Sequence, residues 1–404
     1  MNADTEAPRG AAPPASAAAL TLGAASAAIV ATVVGFGGTV ALIVEAARSV
    51  GAGPQEIVSW VTAVCIGIAI ASFGLSLATR KPIVAAWSTP GAALVISSSA
   101  GTSYAEAIGA FVVAGVLATL VGLWKPLGEL VVRIPRPIAS AMLAGVLLPF
   151  GLGIFLGAAA DPVAVALLLG VYLLTRALLP VAALIAVLAA GILLIALRGY
   201  LAGIDLGLGW PELVPTMPAF SLGSVVGLGI PLFVVTMVAQ NLPGLAVLTA
   251  SGYLPPARAA LTTTGALTTL FAPFGALGVN LAAITAALCT GPDAHPDPQK
   301  RWIVGVFLGI AYGAVALVAA PLVAVVGAVP RPLLAVIAGI ALLGPLTAAL
   351  AAALAAEEKY REAAMVTLLA TASGLTLLGV GGAMWGLGLG LGVLGLKRLI
   401  DRGR

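Results

Sequence analysis

The stretch PIVAAWSTPGAALVISSS (82–99) places hydroxyls and a proline at the centre of an apolar run. A continuous lipid-buried helix disfavours both, because polar groups are costly there and proline removes a backbone hydrogen bond. Proline instead suits the first turn of a helix, and a hydroxyl suits the cap before it. We therefore predict a broken span, with extended chain over 83–88, a cap at Ser88 or Thr89, and a half-helix over 90–96.

A half-helix that begins at mid-membrane offers unpaired N–H donors and positive partial charge. Each such end favours a nearby anion by about 0.3–1 kcal/mol, and by up to about 2 kcal/mol when partly buried. The stretch NLAAITAALCTG (280–291) resembles the first one at an offset of 195 positions, which predicts extended chain from Val279 to Ala283 and a second half-helix from about Ile284. The alternative is a proline-kinked structural helix whose hydroxyls bond to backbone carbonyls.

Other polar or aromatic residues within apolar segments are candidates for the same pocket. An adjacent amide pair in PLFVVTMVAQNLPGLAVL precedes a proline, and GFGGT near the N-terminus allows close backbone approach beside one aromatic ring. Buried amides commonly face a bundle interior, in a binding or a purely structural role. The candidate substrate-binding residues are Phe36, Thr39, Trp87, Ser88, Thr89, Pro90, Gly91, Gln240, Asn241, Asn280, Ala283 and Thr285.

The residues that are missing restrict the chemistry. No His/Cys/Asp/Glu cluster has metal-ligand spacing, and no nucleophile–base signature or phosphate-cradling loop is present. We therefore predict no enzyme, no metal and no cofactor. His295 is the only histidine; it lies in a Pro- and Asp-rich loop, where a solvated side chain is the simpler interpretation and a proton relay the alternative.

The amino-acid composition is that of a membrane protein. Hydrophobic residues make up 61% of the 404 residues and charged residues 8%, too few charges to cover a water-soluble surface. The net charge of +4 comes from scattered basic residues, so no nucleic-acid partner is expected. The two cysteines, Cys65 and Cys289, both lie in apolar segments and are expected to be buried packing residues. We predict an all-α polytopic protein whose partner is the lipid bilayer.

Hydropathy, together with the charged, proline and glycine residues between apolar runs, divides the chain into fourteen candidate segments. These run over 24–47, 57–79, 83–98, 104–124, 136–157, 162–179, 180–198, 222–248, 258–274, 276–290, 301–327, 331–355, 362–379 and 381–397. With the N-terminus inside, 16 of the 19 Lys and Arg residues fall on the inner side, as the positive-inside rule requires. We therefore predict an inner or plasma membrane protein with both termini cytoplasmic and a disordered tail over 1–22.

A second pair of stretches shares the same offset. Pro135-Arg136-Pro137 opens IASAMLAGVLL, and Pro330-Arg331-Pro332 opens LLAVIAGIALL. An offset of 195 positions spans seven segments, an odd number, so the second copy is inverted in the membrane. Inverted repeats with interrupted helices are typical of secondary transporters.

The quoted strings, together with ATASGLTLLGVGGAMWGL, resemble the benzoate/proton symporter (BenE) family over residues 24 to 403. The resemblance implies the seven-plus-seven inverted-repeat fold shared with nucleobase and sulfate carriers. It implies a core of 24–130 and 222–329, a gate of 131–200 and 330–404, and substrate between broken segments three and ten. It also offers a homodimer as the expected assembly, although no stretch marks an interface.

The function predicted on this basis is proton-coupled uptake of benzoate or a similar aromatic carboxylate by alternating access. The nucleobase carriers use acidic residues on segment eight, whereas this chain has Gln240 and Asn241, which favours an anionic ligand. The alternatives are a nucleobase or inorganic-anion carrier of the same fold and a passive anion channel.

Overall fold

A computed structural model describes residues 17–37, 39–99, 101–124, 126, 134–202, 210–282, 284–292, 294–355, 357–377 and 380–402. Two short strands, β1 (Ala85–Trp87) and β2 (Val279–Leu281), lie among helices. The helices are α1 (Ala17–Thr32), α2 (Val40–Ser49), α3 (Pro54–Thr79), α4 (Thr89–Ser98), α5 (Tyr104–Leu123), α6 (Arg136–Gly157), α7 (Pro162–Leu178), α8 (Ala183–Leu197), α9 (Leu222–Ala250), α10 (Ala257–Phe271), α11 (Ile284–Thr290), α12 (Trp302–Leu317), α13 (Ala319–Ala328), α14 (Arg331–Leu354), α15 (Glu358–Ala372) and α16 (Gly382–Arg402).

Seven helices within the described part of the chain are long and apolar enough to cross a membrane. Each of the fourteen predicted segments contains a helix, so the all-α polytopic class is confirmed, while the number of crossings stays a prediction. Several predicted segment ends differ from the structure, and two of them differ by seven residues. Helix α1 begins at Ala17, inside the predicted disordered tail, and α15 covers Glu358–Ala372 rather than 362–379.

The two broken spans are confirmed. Strands β1 and β2 pair antiparallel, with Ala86 opposite Asn280, and each runs directly into a half-helix. Helix α4 begins at Thr89 and α11 at Ile284, which are 195 positions apart and so reproduce the repeat offset. Because the strands are antiparallel, the two half-helices leave the pair in opposite directions, as an inverted repeat requires.

Extended backbone in the middle of a membrane span needs hydrogen-bond partners from the protein, since no water supplies them in the hydrocarbon region. Hydroxyls of neighbouring helices provide them in both repeats. Ser72 Oγ accepts the N–H of Ala85 at 3.0 Å, and Thr268 Oγ1 accepts the N–H of Val279 at 2.9 Å. Ser76 adds a reciprocal pair of bonds to Ile83. These hydroxyls on α3 and α10 hold the two strands in place.

The long helices pack in pairs that the inverted repeat relates to each other. Helix α3 lies along α12, and α5 lies along α10, which is the equivalent pair in the other repeat. Helices α6 and α14, the repeat-related fifth and twelfth segments, pack on one another. Glycines allow these close approaches; a Cβ added to Gly309 of α12 would lie 2.8 Å from the carbonyl oxygen of Ala69.

An ion pair joins the two ends of the hairpin formed by α7 and α8. The carboxylate of Asp161, the N-cap of α7, accepts hydrogen bonds from the Arg198 guanidinium and from the N–H of Ala164. These bonds, the one from Arg198 first, hold the pKa of Asp161 below its ordinary value. The guanidinium of Arg198 is therefore already occupied by a protein carboxylate.

We predict opposite effects on stability for two glycines of α12. In Gly309→Ala the new methyl group meets the α3 backbone, so the free energy of unfolding should fall by about 1–3 kcal/mol. In Gly313→Ala the methyl group has no atom within 4 Å, so the helix should gain about 0.5–1 kcal/mol from its better helix former. The measurement is the thermal unfolding midpoint of each purified variant in the same detergent.

A Gly309→Ala variant as stable as Gly313→Ala would contradict the close packing of α3 on α12.

Candidate functional site

The start of α4 is built as its sequence predicts. Ser88 is fully buried, and its Oγ accepts the N–H of Gly91 at 2.9 Å, which identifies Ser88 as the N-cap. Pro90 lies in the first turn. Thr89, at the first helical position, is half-buried, and its hydroxyl makes no hydrogen bond to a described residue. The backbone and the Thr89 hydroxyl at this end therefore have unused hydrogen-bonding capacity.

The two half-helix starts do not meet at one point. The N–H of Ala282 bonds to the carbonyl of Val84, four residues before Ser88. At about 3.3 Å per extended residue, Ser88 and Ala282, which precede α4 and α11, lie roughly 13 Å apart along the strand pair. One small carboxylate can therefore contact one helix end, not both. Helix α11 also has only seven residues, which leaves α4 as the stronger anion end.

The strand pair separates the predicted residues onto two faces, because side chains alternate along a strand. Asn280 lies opposite Ala86 and projects from the same face. Trp87 projects from the other face, where its indole N–H donates to Thr39 Oγ1 at 2.8 Å and its ring centroid is 5.2 Å from that of Phe36. Ala86 is half-buried between two buried neighbours. The face that carries Asn280 and Ala86 is therefore the less completely buried one.

The amide pair has two different roles. Asn241 is fully buried, and its Oδ1 accepts the N–H of Leu281 at 2.9 Å while its Nδ2 donates to Asn280 Oδ1 at 3.3 Å. Its side chain thus ties α9 to β2. Gln240 is 9% exposed and makes no hydrogen bond to a described residue. Of the pair, Gln240 is the amide that can bind a ligand without breaking a protein contact.

Asn280 has an unused donor in a buried position. The residue is 3% exposed, and its Nδ2 has no hydrogen-bond partner among the described residues, while its Oδ1 is held by Asn241. A buried N–H without a partner costs about 1–3 kcal/mol. Such a group at the membrane centre is suited to a ligand oxygen.

Two segments of π-helix position these groups. Phe36 lies in the π-helical turn Val33–Gly37, and Gln240 and Asn241 lie in the π-helical turn Met237–Asn241 of α9. Single π-helical turns inside α-helices frequently occur at functional sites, because they re-aim side chains. Nothing in the spacing of the sequence predicts them.

The remaining candidates contribute to packing or lie elsewhere. Gly91 contacts α9, since an added Cβ would lie 2.9 Å from Leu232 Cδ1. Thr285 is 7% exposed and lies beside Gly35, next to which the hydroxyl of Tyr312 is also placed. Sequence reasoning did not single out Tyr312, because one tyrosine in an apolar helix carries no pattern. Ala283 lies outside the described residues.

His295 is not the solvated loop residue that we expected. It is 3% exposed, its Nδ1 accepts the N–H of Asp297 at 3.0 Å, and its carbonyl accepts the Nε–H of Arg301 at 2.7 Å. Arg301 also donates to the carbonyl of Thr290, the last residue of α11. This cluster lies beyond the far end of α11, roughly 10 Å of helix from the strand pair. The structure therefore keeps His295 apart from the other candidates.

Little fixed charge lies near the strand pair. Among the described buried residues there is no Asp, Glu or Lys, and the buried Arg301 belongs to the distant cluster around His295. Cavities of about 540 and 650 Å³ lie elsewhere, at the α2–α3 turn and beside the start of α10. The start of α4 and the Asn280 amide are therefore the polar groups with unused hydrogen-bonding capacity at the strand pair.

We predict that the two adjacent amides differ in their effect on stability. Asn241→Leu leaves the N–H of Leu281 buried without an acceptor, so the free energy of unfolding should fall by about 1–3 kcal/mol. Gln240→Leu removes no protein hydrogen bond and should leave it within about 0.5 kcal/mol of the unaltered protein. The measurement is unfolding of both variants in mixed detergent micelles.

Equal losses in the two leucine variants would contradict this division of roles.

Comparison with known proteins gives three consistent results. The family described as "BenE: Benzoate membrane transport protein" matches residues 18–396. The "Inner membrane protein YdcO" of Escherichia coli (strain K12) is 38% identical over 377 residues, which cover 93% of this chain and 96% of that protein. The "Benzoate membrane transport protein" of Acinetobacter baylyi is 34% identical over 374 residues, which cover 92% of this chain and 94% of that protein.

Solved structures show the same fold at low sequence identity. The transmembrane domain of the cyanobacterial bicarbonate transporter BicA matches with a TM-score of 0.60 and 18% identity, covering 91% of this chain and 96% of that one. The murine anion transporter Slc26a9, in its inward-facing state, matches with a TM-score of 0.55 and 13% identity, covering 91% of this chain and 68% of that one. These matches support the inverted-repeat transporter fold.

Proposed function

The chain belongs to the benzoate membrane transport (BenE) family, and on that premise we propose that this membrane transporter carries benzoate or a similar aromatic carboxylate together with a proton. The observation that carries the proposal is the Asn280 amide, which is buried, has an unused N–H and lies at the pair of broken spans. A carboxylate satisfies such a donor with a charge-assisted hydrogen bond.

We place the substrate on the Ala86 face of the strand pair. Its carboxylate accepts from Asn280 Nδ2 and lies at the start of α4, near the unused Thr89 hydroxyl. Its ring lies over Ala86, where a small side chain leaves room, and Gln240 borders it. The Phe36–Trp87 pair then packs on the opposite face of β1. This proposal revises the expectation that these two rings touch the substrate directly.

Charge supplies the physical reason for a proton. A carboxylic acid with a pKa near that of a side-chain carboxyl is an anion at neutral pH. Moving one negative charge inward against a negative-inside potential costs roughly 2.3 kcal/mol per 100 mV. Co-transport of one proton removes that cost.

We propose that the core and gate suggested by the repeat move relative to each other. The packing supports this division. Helix α3 with α12 and α5 with α10 pair within the proposed core, and α6 with α14 and α15 with α16 pair within the proposed gate. The central residues are buried against one another, so a substrate requires the two bodies to separate, as in alternating access.

Uptake of radiolabelled benzoate by purified protein in liposomes tests the function. We expect saturable uptake that accumulates benzoate when the outside is made acidic, and loss of accumulation when a protonophore collapses the gradient. Protein-free liposomes measure the leak of neutral benzoic acid and must be subtracted.

Each alternative gives a different result in the same assay. Competition by uracil, xanthine or an inorganic anion at lower concentration than benzoate would indicate a carrier of the same fold with another substrate. Uptake that does not saturate and never exceeds equilibrium would indicate an anion channel.

We predict that Asn280→Asp slows transport at low substrate concentration. Aspartate keeps an oxygen that can accept from Asn241 but replaces the donor that faces the carboxylate with an acceptor. Loss of a charge-assisted hydrogen bond should raise the half-saturation concentration on the order of tenfold to a hundredfold. Gln240→Leu should raise it less, because a neutral edge contact contributes about 0.5–1.5 kcal/mol. Unchanged kinetics in both variants would contradict the placement and leave the transport function intact.

A further inference from the structure

A second feature outside the centre combines a positive charge with apolar walls. The cavity of about 540 Å³ at the α2–α3 turn is lined by one charged residue, Arg48, and by eight apolar or small residues. Ile57 and Val58 of α3 form one wall, and Val323 and Ala324 of α13 form the other. Its volume lies within the range of sites for small organic ligands.

The guanidinium of Arg48 makes no hydrogen bond to any described residue. Its nearest charge is Glu45, one turn earlier on α2, at 3.9 Å between Nη1 and Oε2. That distance is too long for a hydrogen bond. Glu45 Oε2 is itself buried without a hydrogen-bond partner among the described residues. By contrast, Arg198 is fully engaged by Asp161. Arg48 therefore lines the cavity with a planar set of N–H donors, none of which is hydrogen bonded to a described residue.

We propose that this cavity is a second binding site, which collects a small aromatic carboxylate before it reaches the centre. The carboxylate pairs with the Arg48 guanidinium, which matches it with two parallel N–H···O bonds. The ring lies between the Ile57 and Val323 walls. The choice of an aromatic carboxylate as ligand rests on the proposed function; the site itself rests on the cavity and on a guanidinium that makes no hydrogen bond to a described residue.

The fold connects this cavity to the central site through one helix. Helix α2 runs from the turn that holds Thr39, which is bonded to Trp87, to Arg48 in its last turn. Nine residues of helix cover roughly 13 Å. A ligand at Arg48 therefore lies roughly 13 Å from Thr39, beside the turn that connects α2 to α3.

Glu45 competes with the ligand for the same guanidinium. Its carboxylate lies within ion-pair distance but is not hydrogen bonded, so an incoming carboxylate replaces a weak contact with a stronger bidentate one. Neutralising Glu45 removes the competitor and should therefore strengthen ligand binding. Substitutions of Arg48 and of Glu45 should therefore change the affinity for the ligand in opposite directions.

Photolabelling with 4-azidobenzoate tests the site directly. The probe is a small aromatic carboxylate, and peptide mapping of the full-length protein in nanodiscs locates its attachment. We expect label on residues 54–58 or 320–327 and protection of that label by excess benzoate. In Arg48→Gln the half-saturation concentration for this label should rise on the order of tenfold to a hundredfold, and in Glu45→Gln it should fall.

Three results would overturn the proposal. The first is label confined to 85–91 and 279–285, which leaves the proposed function standing. The second is cavity label that persists unchanged in Arg48→Gln. The third is cavity label suppressed by phosphatidylglycerol nanodiscs and not by benzoate, which identifies a lipid phosphate as the natural ligand. Cavity label without any benzoate uptake would instead support the site and refute the proposed function.

Transport kinetics provide a second measurement. In liposomes, Arg48→Gln should raise the half-saturation concentration for benzoate several-fold and leave the maximal rate unchanged, because the residue collects substrate and does not touch it at the centre. Arg48→Lys should recover part of the loss. The fourteen predicted segments put both Arg48 and Arg198 on the outer side of the membrane. Arg198→Gln is therefore the matched control, since it removes one positive charge from that side without altering the cavity. An equal effect of Arg198→Gln and Arg48→Gln would show a general effect of surface charge and overturn the collecting role.

Discussion

The antiparallel pairing of two three-residue strands is the interaction on which the rest of this structure depends. Backbone that leaves the helical state inside a membrane exposes donors and acceptors that lipid cannot satisfy. Strands Ala85–Trp87 and Val279–Leu281 solve this by bonding to each other, and Ser72 and Thr268 of the flanking helices bond to their ends. Only because these bonds are made can two half-helices begin at mid-depth and direct their N-termini toward the strand pair.

The need to pair this backbone also gives the inverted repeat a structural role. Two copies related by inversion bring the same interruption to the same depth from opposite sides, so each strand is the other's partner. The helices that carry the bracing hydroxyls must come close to the strands, and glycines such as Gly309 permit the close helix packing around them. The repeat is thus a way to make irregular backbone tolerable at the membrane centre.

The two copies differ in the polar and aromatic groups that they bring to the strand pair. Asn241 uses its amide to fasten α9 to β2, and in doing so it orients Asn280 with its Nδ2 unpaired. The first repeat supplies an aromatic pair and a capped helix start instead. A face with an amide donor, a helix end and no fixed carboxylate suits an anion, and the guanidinium of Arg48, which makes no hydrogen bond to a described residue, extends the same preference toward the surface.

The sequence by itself determined the membrane class, the repeat and the two broken spans, because hydropathy, proline position and capping are local or periodic properties. A cap at Ser88 or Thr89 and a second half-helix from about Ile284 follow from those rules, and the structure selects Ser88 as the cap. Tertiary structure alone decided which face of the strand pair is less buried, that Ser88 and Ala282 lie roughly 13 Å apart, and that Asn241 is hydrogen bonded to β2 whereas Gln240 is not. It also buried His295 and placed Tyr312 beside Thr285. These outcomes depend on strand register and on π-helical turns, which arise from contacts between residues far apart in the chain and leave no periodic signal in it.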